Sequence, residues 1–229
     1  MAARILAEVC VESAADARAA AQAGADRVEL CADLSVGGIT PDCAELREAR
    51  ATAELPVAAM LRPRGGDFRY DAAELRAMEQ AVPALRDAGA TAVVFGVLDR
   101  DGSPDRGALE RIVRAAEGLE LVFHRAFDQV PDRAAALELL IALGFTRVLS
   151  SGGAPEVVAG IPALRELVAQ ADGRIELMPG GGVRAANIVQ VLRETGARQI
   201  HFSGKRGYGE PTRVEDLRAF LSPLRGSST

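Results

Sequence analysis

Eight short apolar runs recur along this sequence, and each leads into a longer stretch rich in alanine, leucine, arginine and glutamate. The runs begin near Arg4, Asp26, Pro56, Thr91, Glu120, Thr146, Arg174 and Gln199. From the first to the eighth they are spaced by about 28 residues, the scale of one strand–helix unit. The longer stretches carry helical spacing and helical punctuation. Ser13 stands where an N-cap belongs for a helix reaching Ala23, and Asp71 does the same for one reaching Ala88, with Gly89 just beyond. A third stretch opens at Pro131 and stops at Gly144 after Leu143. Eight consecutive units of similar size predict an α/β chain closed into a single (β/α)8 TIM barrel with a parallel eight-stranded core. An open doubly wound sheet is the alternative. No linker or low-complexity segment interrupts the pattern. One domain is therefore expected over residues 1–229, with an ordered core of about residues 4–222.

Composition narrows the function. The chain has 229 residues, 48% hydrophobic and 26% charged, with a net charge of −5. That balance excludes a strongly basic nucleic-acid binder. With no tryptophan and 4% aromatic residues, stacking platforms for single strands are not evident. No run approaches the roughly 20 apolar residues needed to span a membrane, and no secretory leader is evident. Three cysteines, Cys10, Cys31 and Cys43, do not make a disulfide framework. A cytoplasmic, reducing location is the expectation. Every positive charge except Lys205 is arginine, so a Schiff-base lysine has a single candidate.

In a barrel of this kind chemistry belongs at the C-terminal strand ends, and strand alternation separates inward from outward residues. Glu8 shares a face with Cys10, Glu29 with Cys31, Arg62 with Met60, His124 with Val122, and His201 with Gln199 and Ser203. The polar set Glu8, Glu29, Arg62, His124 and His201 is therefore expected to converge in the upper barrel. Two carboxylates, an arginine and two histidines suit acid–base chemistry. The same residues would also serve as a satisfied polar plug, because buried charges need partners with or without a reaction. For Glu8 and Glu29 the two readings stand level. Arg62 and His124, at strand ends, favour the functional one, and His201 favours a hydrogen-bonded structural role.

Glycine-rich loops follow the last three strands: Ser150-Ser151-Gly152-Gly153, Pro179-Gly180-Gly181-Gly182-Val183 and Ser203-Gly204-Lys205-Arg206-Gly207. Glycines let backbone amides approach an anion, and the second loop is expected to run into a helix that begins near Arg184. Ser151, Gly152, Gly181, Gly182 and Lys205 are accordingly candidate anion contacts, although glycines also simply turn a chain. The segment Arg62-Pro63-Arg64-Gly65-Gly66-Asp67-Phe68-Arg69-Tyr70 reads as a lid in which Arg62 and Arg64 are the candidates for meeting a carboxylate or phosphate. Cys10 and Cys31 end neighbouring strands, about 4.8 Å apart, which brings two thiols within reach of one another. Thiolate pairs suit a soft ion such as copper(I). Spacing alone favours the plainer reading of small buried residues. Cys43 reads as packing or surface.

At this point a family resemblance is visible. Glu8-Val9-Cys10-Val11-Glu12-Ser13, Ala23-Gly24-Ala25-Asp26-Arg27-Val28-Glu29-Leu30-Cys31, Gly37-Gly38-Ile39-Thr40-Pro41, Arg62 to Phe68, Gly96-Val97-Leu98-Asp99, Phe123-His124-Arg125-Ala126-Phe127-Asp128, Arg147 to Gly152 and Gly180-Gly181-Gly182-Val183 with Asn187 resemble the CutC copper homeostasis family. The resemblance spans about residues 6–203. It implies a (β/α)8 barrel, a cytoplasmic location, homo-oligomers and a copper-binding role. It maps the family's suggested copper ligands onto Cys10 and Cys31, and places Arg62, His124 and Asp128 in the active-site region. The chain departs from the family after Ser203, where Gly204 to Thr212 is a short replacement containing Lys205.

Two functions are therefore carried forward. The first is copper homeostasis, with copper(I) bound at Cys10 and Cys31. The alternative is an enzyme of isomerase, aldolase or lyase type, acting on a small phosphorylated or carboxylated metabolite. There His124 or Glu29 would move a proton, Arg62 would clamp an oxyanion or phosphate, and the Gly181 and Gly182 amides would hold phosphate. The expected partners are a copper ion or small anionic metabolite and a second copy of the chain, with neither nucleic acid nor membrane.

Overall fold

In the computed structural model, described for residues 4–204 and 212–225, the eight apolar runs are parallel strands and each is followed by a helix. In chain order they are β1 (Leu6–Val11), α1 (Ala14–Ala23), β2 (Arg27–Leu30), α2 (Cys43–Ala53), β3 (Val57–Met60), α3 (Ala72–Asp87), β4 (Ala92–Phe95) and α4 (Arg106–Ala115). The second half continues with β5 (Glu120–Phe123), α5 (Arg133–Ala142), β6 (Arg147–Ser150), α6 (Ile161–Ala171), β7 (Glu176–Pro179), α7 (Ile188–Thr195), β8 (Gln199–Ser203) and α8 (Val214–Arg225). The sheet order is β7-β6-β5-β4-β3-β2-β1-β8. Gly180, just past β7, lies so near β8 that an added Cβ would sit 3.4 Å from the His201 Cβ. The sheet thus curves into a nearly closed (β/α)8 TIM barrel.

Local chemistry explains most helix boundaries. The Ser13 side chain accepts from the Asp16 amide at the start of α1, and Asp71 with Glu74 forms a full capping box on α3. Helix α5 starts at Arg133 behind the cap Asp132. One expectation is corrected. No helix begins near Arg184. The Asn187 side chain accepts from the Arg184 amide at 2.8 Å and donates to the Gly182 carbonyl at 3.0 Å, which closes a turn and delays α7 to Ile188. The glycine loop therefore does not open directly onto a helix N-terminus.

Two apolar shells result from strand alternation. The larger lies between sheet and helices, with Phe95, Phe123, Phe127, Leu109 and Leu137 fully buried. Burying each such side chain stabilises the fold by about 1.5–3 kcal/mol. The smaller fills the barrel lumen with Cys10, Cys31, Ala58, Met60, Ala92, Val94, Val122, Leu149 and Met178. Register sets the site: Glu8 is level with Arg27 on β2 and with His201 on β8, and Cys10 is level with Glu29 and Ser203.

Candidate metal centre and barrel mouth

The lumen beside β1, β2 and β8 is a chain of paired charges. Glu8 is wholly buried. Its carboxylate accepts from Arg27 Nε on one oxygen, and on the other it meets His201 Nδ1 at 2.9 Å. The Arg27 guanidinium also donates to Gln199 Oε1 at 2.8 Å and lies 3.5 Å from Met178 Sδ. Burial opposes the Glu8 charge, but Arg27 and the His201 hydrogen bond outweigh it and hold the carboxyl well below the usual carboxylate range. Burial likewise opposes the His201 charge, and Glu29, Cys10 and Glu8 overturn that, raising its pKa well above the ordinary histidine value.

Just above this layer stand the two thiols. Cys10 Sγ and Cys31 Sγ are 3.9 Å apart, and Glu29 Oε1 lies 3.5 Å from the first and 3.4 Å from the second. The hydrogen bond from Cys31, helped by His201, draws the Cys10 thiol down to about 5 in spite of burial. The same bond pushes the Cys31 thiol up, and burial adds to it. Burial lifts Glu29 to about 8, with the charges of Cys10 and Glu8 adding to it and His201 opposing. Its Oε2 is buried without a hydrogen-bond partner. The cluster thus favours charge on Cys10 and disfavours it on Cys31 and Glu29. It is a soft donor pair beside an unsatisfied hard donor.

Above the thiols opens a cavity of about 840 Å³. Cys10, Glu29 and His201 belong to its floor, Met60, Leu149 and Phe68 to its walls, and Arg125, Gly181, Gly182 and Arg184 to its rim. Arg62 lines it as well. Its guanidinium donates to the carbonyls of Val36 and Gly38 at 3.0 Å and of Gly66 at 2.8 Å, and packs 4.8 Å from the Phe68 ring centroid. It therefore latches the loop after β2, pinned at its base by the Ala32–Ile39 bridge, to the loop after β3.

His124 is 4% exposed and packs 4.7 Å from the Phe68 ring. Burial first, and then the Arg62 charge, depress its pKa to about 3, so the imidazole is neutral near physiological pH. Gly96 makes room for it, since a Cβ there would lie 2.8 Å from the ring. Asp128 is committed to the loop after β6: it accepts from Ser150 Oγ at 2.6 Å, from Ser151 N at 2.9 Å, from Gly153 N at 3.1 Å and from Arg125 Nε at 2.8 Å.

The expected residues thus separate into three groups. Glu29, Cys10, His201, Arg62, His124, Asp128, Gly181 and Gly182 line one cavity, with Glu8 and Cys31 packed directly behind its floor. Arg64, Ser151 and Gly152 do not line it. Arg64 is held by Glu74 at 2.6 Å and Asp67 at 3.0 Å, within the loop after β3. Ser151 accepts from Arg125, and Gly152 is buried against Gly160. Lys205 and Arg206 lie outside the described residues. The sequence reading passed over Arg27 and Met178 in the lumen and Arg125 and Arg184 on the rim. Arg27 was detectable, because it stands two residues before Glu29 on the same strand face.

A sequence profile of the CutC family matches residues 5–206. The chain belongs to the CutC family. A Caulobacter vibrioides family protein CutC is 44% identical over 221 residues, covering 96% of this chain and 88% of that protein. The human copper homeostasis protein cutC homolog is 42% identical over 200 residues, covering 87% of this chain and 73% of that protein. Among solved structures, a Streptococcus agalactiae copper homeostasis protein CutC superposes with TM-score 0.84 at 39% identity, covering 92% of this chain and 99% of that one. A Pyrococcus furiosus thiamine phosphate pyrophosphorylase, at 16% identity and TM-score 0.63, shares the fold alone. Among the described residues no helix is long and apolar enough to cross a membrane.

Proposed function

We propose that this CutC chain serves copper homeostasis by binding copper(I) between Cys10 and Cys31. The observation that carries the reading is the convergence of two lumen thiols with a carboxyl group. Their donor atoms all lie within 4.8 Å of one another. Metal–thiolate bonds are about 2.3 Å long, so a sulfur separation of 3.9 Å lies within the span of one ion. Within the apolar lumen cluster, both cysteines also flank a carboxyl whose second oxygen is unsatisfied. Soft thiolates select copper(I) over harder ions. Binding requires proton loss from Cys31, so affinity rises with pH. Cys10 lines the open cavity, which supplies an access path. The His201–Glu8–Arg27 chain behind Cys10 stabilises the thiolate by charge and hydrogen bonding, a supporting role of the kind that outer partners play in metal sites.

The test is a copper(I) competition titration against a coloured chelator under anaerobic conditions. Wild-type protein is expected to withdraw one ion per chain, and Cys10→Ser/Cys31→Ser to lose that capacity. Unchanged affinity in the double variant would remove these residues from copper binding. Glu29→Gln is expected to weaken binding by about 10-fold or more while leaving the stoichiometry intact.

A further inference from the structure

The cavity above the thiols is far larger than an ion needs. At about 840 Å³ it has the size of a site for a small organic molecule. Its polar lining combines Arg62, His124, Arg125 and Arg184 with the carboxyl groups of Glu29 and Asp128. His124 Nε2 is buried without a hydrogen-bond partner, and the residue is 4% exposed, whereas the buried Arg62 side chain interacts with the Tyr70 hydroxyl. His124 Nδ1 accepts from the Ala126 amide at 3.3 Å, which leaves the ring proton on Nε2 as a donor without an acceptor. On the rim, the Arg125 guanidinium is oriented by Asp128 at 2.8 Å and Ser151 at 3.0 Å. It lies over Gly181, which has φ +89°, and a Cβ there would come within 2.8 Å of Arg125 Cζ. Arg184 lines the same cavity, with Nη1 on its own Val183 carbonyl at 2.9 Å. The Gly181 and Gly182 carbonyls are taken by the Val157 amide and the Asn187 side chain, at 2.7 and 3.0 Å.

We infer that the barrel mouth binds a small organic oxyanion, a molecule bearing a carboxylate or phosphate group, on Arg125 and Arg184, with the unpaired Nε2–H of His124 donating to its oxygens. Two independent features support such a ligand. Arg125 and Arg184 both bring positive charge to the cavity lining, and the buried His124 Nε2 donor has no hydrogen-bond partner among the described residues. Guanidinium groups match the planar, two-oxygen geometry of carboxylate and phosphate. Asp128 neutralises part of the Arg125 charge and fixes its direction, which preorganises the rim. The apolar walls, Met60, Leu149 and Phe68, suit the carbon skeleton of an organic ligand better than a bare inorganic ion. Nothing in this site depends on the thiols, so it stands or falls apart from copper binding.

The test is calorimetric titration of the metal-free full chain with inorganic phosphate and, separately, with citrate, at constant ionic strength. At least one probe is expected to bind with one site per chain. Binding of phosphate alone assigns a phosphate-bearing ligand, and binding of citrate alone a carboxylate-bearing one. Arg125→Gln/Arg184→Gln is expected to weaken the bound probe at least tenfold, and Arg184→Gln alone, on the exposed rim, by a smaller factor. Arg106→Gln, outside the cavity, controls for general loss of positive charge and is expected to bind as wild type. Cys10→Ser/Cys31→Ser is expected to keep anion binding, so a failed copper titration leaves this reading untouched. Two results overturn it: neither probe binds the wild-type chain, or the folded double arginine variant binds as wild type does.

Discussion

The two sides of the barrel lumen are built on the same strand alternation and hold opposite chemistries. Strands β8, β1 and β2 send in Gln199, His201, Glu8, Cys10, Arg27 and Glu29, followed by Cys31 at the end of β2. Strands β3, β4 and β5 send in Ala58, Met60, Ala92, Val94 and Val122. The small apolar side neither hydrates nor pairs with charges, so those across from it must satisfy one another. Glu8, Arg27 and His201 do so completely. Glu29 does not, and its pKa rises accordingly. A lumen filled by Val, Ala and Met throughout would hold a barrel together as well or better, since paired buried ions add little net stability. The fold's stability therefore does not account for the polar side.

Uncoupling the ion pair is the harshest way to break this contrast. Arg27→Met leaves Glu8 buried with His201 alone, and is expected to destabilise the chain by about 3–5 kcal/mol in urea unfolding. Adding Glu8→Gln to that variant is expected to restore part of the loss. A loss below about 1 kcal/mol for Arg27→Met would mean that the pair is hydrated. On the apolar side Met60→Ala is expected to cost about 2–3 kcal/mol, the low end for such truncations because Met60 borders the open cavity. A larger cost there than for Arg27→Met would reverse the ranking of the two sides.

The edge between the two sides carries a pH signature. His124 falls to about 3 in the folded chain against an ordinary value of 6.5, so the unfolded chain binds the extra proton first. Its contribution to stability is present above about pH 6.5 and is lost as pH falls towards 3, at up to about 1.4 kcal/mol per pH unit. Urea unfolding of wild type and His124→Asn across that window should show a steeper decline in the wild type. Parallel curves would show that the imidazole is hydrated. The smallest effect is expected away from the lumen. Arg64→Gln breaks pairs with Glu74 and Asp67 on a half-exposed loop and should change stability by about 1 kcal/mol or less.

Much of this molecule was legible in the order of its residues. Each strand starts within two residues of where the apolar runs place it, because strand alternation and helix caps are local properties. The inward placement of Glu8, Cys10, Glu29, Arg62, His124 and His201 followed from the same alternation. Arg64 shows where local reading stops. It stands two residues from Arg62 in one arginine-rich loop, yet Arg62 turns onto three carbonyls at the cavity wall and Arg64 turns outward to Glu74. Which acceptors lie nearby is set by segments distant in sequence. Arg125 and Arg184 were missed for the same reason, since α/β loops converge only once the barrel closes.

By itself the sequence determined the repeat, the closed barrel, the family and the two strands that carry the thiols. The tertiary structure decided that those thiols lie 3.9 Å apart beside Glu29, that Glu8 is consumed by Arg27 and His201, and that arginines from separate loops share one rim. Strand and helix patterns repeat over a few residues and are written locally. Side-chain partners across a barrel are separated by up to 193 positions, and depend on register and closure, which no local pattern contains.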